Sequence, residues 1–152
     1  AYLPGVLSSH QPFDLVVLML GTNDLKPAVC GTVSGVVVGL RRLIALIRAV
    51  PYHMGDAAPE VSVVSPPLVC NTASGAGLGG GRSVEESARL APAISALCIE
   101  EKCLFLDAAQ FARSSPEDGV HLDAANTRAI GVAVAQAVAS WPQFGTWLRS
   151  SA

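Results

Sequence analysis

The run Leu15-Val16-Val17-Leu18-Met19-Leu20, entered from Asp14 and closed by Gly21, constrains this chain more than any other stretch. It is too short to cross a bilayer and lacks the alternation of a half-solvated hairpin strand, so it predicts a central parallel strand covered on both faces. At its carboxyl end Gly21 permits a sharp turn, and Thr22, Asn23 and Asp24 then offer a hydroxyl, an amide and a carboxylate where open α/β sheets bind their ligands. The same residues also suit an ordinary strand-to-helix turn in which Asn23 or Asp24 caps the next helix.

The remaining chain alternates strands with helices. Tyr2 to His10 reads as a loop and short helix, with His10 a structural residue rather than a base. Val29, Val33, Val36, Val37, Leu40, Leu43, Ile44 and Ile47 have the spacing of one broad helical face, ended near Pro51. Arg41, Arg42 and Arg48 fall on other faces and read as solvated surface. Val61 to Ser65 is a second strand, which Pro66-Pro67 forces out of the sheet. The Gly-rich stretch 71–81 is not a phosphate loop, because prolines intervene after the strand and the lysine is missing; a mobile flap near the site is the better reading. Ser83 with Glu86 suggests a capping box, Leu90, Ile94 and Leu97 a buried stripe, and Pro92 a kink. Cys103 to Leu106 is a third strand. This order predicts parallel strands with right-handed crossovers in a three-layer α/β/α sandwich.

With 152 residues, 51% of them apolar and 14% charged, the chain can fill one core. Aromatics at 5% leave that core to Val, Leu, Ile and Ala, as helices packed on a parallel sheet require. A net charge of -2 without a basic run argues against nucleic acid or an anionic membrane surface as the main partner. Cys30, Cys70, Cys98 and Cys103 form no Cys-x-x-Cys pair and have no histidines at metal spacing, so buried free thiols and a reducing, cytoplasmic setting are expected. No signal peptide or membrane span is visible, and the sequence opens without a methionine, like the middle of a longer protein.

A second polar cluster, Ser114 to Asp123, follows the third strand and precedes a helix with Ile130, Val134 and Val138 on one face, an N-cap at Asp123 and an end at Pro142. Asp118 and His121 are three apart, and a turn through Gly119 lets the carboxylate accept the Nδ1 proton and leave Nε2 as a general base. Alone, Asp-x-x-His reads first as a surface turn with an incidental histidine.

Together, Gly21-Thr22-Asn23-Asp24 and Asp118-Gly119-Val120-His121 resemble the Gly-x-Asn-Asp and Asp-x-x-His blocks of the SGNH (GDSL-type) hydrolase family. Tyr2-Leu3-Pro4, Pro12 to Val16, Val64-Ser65-Pro66-Pro67 and Ala125-Asn126 look like its bacterial arylesterase/acyltransferase branch. The resemblance implies a flavodoxin-like sheet and a serine hydrolase in which His121 and Asp118 are catalytic. Asn23, with Gly21 and Thr22, would serve the oxyanion and substrate, and Asp24 would support the loop. It implies a small-molecule ester substrate and no metal or cofactor. Aryl or short-chain acyl esters are expected, with acetylated carbohydrates or lysophospholipids as alternatives, and acyl transfer beside hydrolysis.

The family's Gly-Asp-Ser nucleophile block does not occur in this sequence, nor does the second-block glycine. Ser8, Ser9, Ser65, Ser114 and Ser115 lack a nucleophile-elbow setting. Residues 1–152 are therefore expected to be the C-terminal portion of a single hydrolase domain, completed by an N-terminal fragment that carries the serine. Removing the family's first strand would leave Leu15 to Leu20 on an exposed edge. A non-catalytic binding module or inactive fragment is the alternative, and homo-oligomerisation stays open.

Overall fold

Residues 2–141 are described by the structure, a computed structural model; Pro142, expected to end the last helix, lies outside them. Strand β2 (Glu60–Ser65) is buried from Val61 to Ser65 because it has a parallel strand on each side. It pairs β1 (Leu15–Leu18) from Leu15 opposite Glu60 to Leu18 opposite Val63. It pairs β3 (Leu104–Asp107) from Ser62 opposite Leu104 to Ser65 opposite Asp107.

The order β1-β2-β3 replaces the central position read from the run Leu15 to Leu20 alone with the exposed edge expected where the family's first strand is missing: among the described residues β1 is an edge. Val17, Met19 and Leu20 are 42%, 43% and 47% exposed, although their sequence is that of a covered strand.

Helices complete the predicted sandwich. Helix α1 (Leu3–His10) contributes Leu7 to the core, and His10 is its last residue, with Nδ1 near the Val6 carbonyl. Helix α2 (Val33–Ala49) starts at Thr32, whose hydroxyl accepts from the Gly35 N–H. Val33, Val36, Leu40, Ile44 and Ile47 form its buried stripe. Val29 does not belong to that helix; it lies in a turn and is 63% exposed, because the Thr32 cap fixes the start one turn later.

Helices α3 (Val84–Ala88) and α4 (Leu90–Glu101) are separated at Arg89. The break precedes Pro92, whose ring crowds the carbonyl four residues back and which has no N–H to donate to it. Leu90, Ile94 and Leu97 of α4 join the α2 stripe, Val61 and Val63 on one face of the sheet. Full burial of each such side chain contributes about 2 kcal/mol. Helix α5 (Ala124–Ser140) covers the other face, where Ile130 meets Val64, Ala108 and Ala112.

Arg41 bonds Glu100 and Glu101 at 2.5 Å each, and Arg48 bonds Glu101 at 3.1 Å. These two arginines therefore tie α2 to the end of α4 rather than standing free in solvent. All four cysteines are free, but only Cys98 is buried, and Cys30 is exposed, which corrects the expectation for the set. Cys30 follows the β1 loop before the Thr32 cap, outside the packed stripe. Burial pushes the Cys98 thiol up to about 12. Among the described residues no helix is long and apolar enough to cross a membrane.

Candidate active site

Both polar clusters lie beyond the carboxyl ends of strands. After β1 the chain turns at Gly21, with φ +128°, where an added Cβ would sit 3.1 Å from Val36 and 3.8 Å from Leu90. Glycine thus lets the strand end press against α2 and α4. The Gly21 carbonyl accepts the Leu25 N–H at 3.1 Å, and the Asn23 carbonyl accepts the Lys26 N–H at 3.2 Å. Thr22 is half-buried and Asn23 is exposed. Asp24 closes the loop through its backbone carbonyl, which accepts from the Gly31 N–H at 2.8 Å. Asp24 also borders an apolar cavity of about 270 Å³, with Leu20, Val36, Leu40 and Leu43.

The Asp118 turn is held from within and from outside. Gly119 donates to the Ser115 carbonyl at 2.8 Å, and Ser115 donates to the His121 carbonyl at 2.7 Å. From outside, Cys70 donates to the Gly119 carbonyl at 2.9 Å and Ala73 to the Pro116 carbonyl at 2.8 Å. At Gly119 φ is +74°, and an added Cβ would lie 2.1 Å from the Cys70 carbonyl oxygen. Only glycine fits there.

This turn delivers the expected dyad. Asp118 Oδ2 lies 2.5 Å from His121 Nδ1, while Oδ1 accepts the N–H groups of Val120 at 2.8 Å and His121 at 2.9 Å. The hydrogen bond from His121, then the two backbone donors, hold the Asp118 carboxyl far below the usual carboxylate range. With Nδ1 engaged, Nε2 is the ring nitrogen left to exchange a proton with substrate or nucleophile. The imidazole is 84% exposed. Asp123 caps α5 as expected, accepting the Asn126 N–H at 2.7 Å.

Asn23 makes no hydrogen bond to Asp118 or His121; the segment 70–82 spans the two clusters instead. At one end Cys70 and Leu78 meet Gly119, and at the other Gly80 and Gly81 lie against Lys26 and Pro27. The expected flap is thus seated on both loops. Arg82 ends it, and its Nη2 donates to Asn23 Oδ1 at 2.6 Å while Nε donates to the Thr22 carbonyl at 2.8 Å. Sequence reasoning missed this arginine. The available signal was its position as the first lysine or arginine after Arg48, between a glycine run and the Ser83 cap.

Among the described residues no serine hydroxyl is hydrogen-bonded to His121. Ser114 Oγ donates to the Leu68 carbonyl, Ser115 Oγ accepts from the Glu117 N–H, Ser9 Oγ donates to the Val6 carbonyl, and Ser65 Oγ is buried without a partner.

A sequence profile of the GDSL-like lipase/acylhydrolase family matches residues 1–129. Among solved structures, a protein assigned as an arylesterase from Agrobacterium tumefaciens str. C58 is similar at a TM-score of 0.85 and 44% identity, over 89% of this chain and 64% of that one. A carbohydrate acetylesterase family member from Sinorhizobium meliloti gives 0.82 at 45% identity, over 90% and 65%. The M. smegmatis aryl esterase gives 0.80 at 35% identity, over 91% and 66%. No curated protein matches the sequence. The chain spans just under two thirds of the length of each of these structures.

Proposed function

The chain belongs to the GDSL-like lipase/acylhydrolase family, and from that premise we propose that it is the C-terminal portion of a single hydrolase domain of a serine esterase acting on small carboxylic esters. The observation that carries this reading is the closed Asp118–His121 pair at 2.5 Å, on a turn that admits only glycine at position 119.

In the proposed reaction His121 Nε2 removes the proton of a serine hydroxyl as its oxygen attacks the ester carbonyl. Asp118 stabilises the imidazolium so formed. The carbonyl oxygen becomes an oxyanion, and the Asn23 side-chain amide, with backbone N–H groups near Gly21 and Thr22, donates to it; one such pre-aimed donor contributes about 3 kcal/mol. His121 then protonates the departing alcohol, and water, or an alcohol in acyl transfer, releases the acyl group by the reverse sequence.

The nucleophile is assigned to an N-terminal segment outside these 152 residues that adds strands to the free side of β1. Two features support this: β1 is an edge among the described residues with Val17 exposed on it and Met19 and Leu20 exposed just past its end, and an apolar cavity lies between Leu20 and α2. Aryl and short-chain acyl esters are the first substrates to try. Acetylated carbohydrates come second, on the strength of the similarity to the S. meliloti protein.

The test is fluorophosphonate labelling of the purified protein with every polypeptide that co-purifies, read by denaturing intact mass. A serine outside this chain should be labelled, and labelling and p-nitrophenyl acetate hydrolysis should both disappear in His121→Ala with the fold retained. No labelled polypeptide, or full labelling and turnover in His121→Ala, overturns the proposal in favour of a non-catalytic module.

A further inference from the structure

Asn23 is exposed on a turn, and an asparagine can rotate its amide end for end. To serve an oxyanion it must present nitrogen, not oxygen. The group facing it is the Arg82 guanidinium, which has donors only. Arg82 Nη2 donates to Asn23 Oδ1 at 2.6 Å. In the flipped orientation the amide nitrogen would meet those donors and neither group could bond. The oxygen is therefore held toward Arg82, and the amide N–H groups are left free for a ligand.

Arg82 does more than select an orientation. Its Nε donates to the Thr22 carbonyl at 2.8 Å and its Nη1 to the Gly79 carbonyl. One rigid fork thus holds an amide oxygen and two backbone carbonyls, from the Asn23 loop and from the glycine run, in a fixed relation. The backbone of Arg82 is anchored in turn. Ser83 Oγ accepts the Glu86 N–H at 3.2 Å, and Glu86 Oε2 accepts the Val33 N–H at 2.8 Å, joining α3 to the start of α2. A cation bonded to the amide oxygen also draws charge from the amide nitrogen and sharpens it as a donor.

We propose that Arg82 is a positioning residue for the oxyanion donor: it fixes the flip, place and polarity of the Asn23 carboxamide without touching substrate. The inference rests on the esterase reading, and its test separates the two. Kinetics of Arg82→Gln and Arg82→Lys are compared in the Asn23 and Asn23→Ala backgrounds of the assembled esterase. In parallel, the Asn23 side-chain amide resonances of the same assembled esterase are followed by nitrogen-15 NMR.

In the Asn23 background Arg82→Gln should lower kcat by about 10- to 100-fold with KM changed less than about threefold, since misplacement of a group by about 1 Å has effects of this size. Arg82→Lys, which keeps the charge but not the fork, should recover only part of that loss. In Asn23→Ala both changes should have no further effect on kcat, and in the Asn23 background Arg82→Gln should move the Asn23 amide resonances. An unchanged kcat, or an equal loss with Asn23 absent, overturns the inference. Should Asn23→Ala itself leave turnover intact, the esterase role of Asn23 fails, and the amide resonances then decide: if Arg82→Gln leaves them in place, Arg82 does not position Asn23.

Discussion

Asp118 accepts three hydrogen bonds, the first of them from the imidazole it orients, and its carboxyl is held far below the ordinary range. A carboxylate depressed in the folded state adds stability that is fully present above its unfolded value of about 3.9 and is lost as pH falls through the lower folded value. The turn should therefore persist through mildly acid solution, and the acid limb of kcat/KM should not follow titration of Asp118. A pH–rate profile of the assembled esterase checks this: Asp118→Asn should lower kcat on the order of 10³-fold or more at the optimum, by leaving Nδ1 without its acceptor. An acid limb that vanishes in this variant while turnover stays high would show that Asp118 itself is the titrating group.

The turn and its strap also act as an element. Gly119→Ala places a methyl 2.1 Å from the Cys70 carbonyl and 2.4 Å from Leu78, and it fixes a residue at positive φ. Thermal unfolding of the chain should show a loss on the order of 2 kcal/mol, and an unaltered Tm would mean that the strap does not hold the turn.

Much at this scale was legible because local chemistry decides it. Ser83 and Asp123 are caps, the stripe from Val33 to Ile47 has helical spacing, and Asp118 folds under His121 through a glycine. The run Leu15 to Leu20 by itself reads as central, since an apolar run records the covering a strand is suited to rather than the neighbours present; its edge position was legible only through the missing Gly-Asp-Ser block. Arg82 was hidden for another reason: its partner lies 59 residues away, and no periodicity connects them. Pro92 marked a break, but the break falls at Arg89, where the crowded turn precedes the ring.

For the whole molecule, the apolar edge of β1 is the dominant liability. Val17, Met19 and Leu20 stand beside unpaired backbone groups, the arrangement that templates strand addition. The chain by itself should self-associate, and Val17→Lys should suppress this, as sedimentation velocity at micromolar concentration will show; a wild-type chain that stays monomeric contradicts the expectation. The order β1-β2-β3 has a temporal consequence as well. Each strand pairs with the one made just before it, so the sheet can be laid down stepwise as the polypeptide leaves the ribosome, with no later strand having to wedge between two already joined. Among the described strands growth runs in one direction, away from β1, so the face that α5 covers is complete before that helix is made.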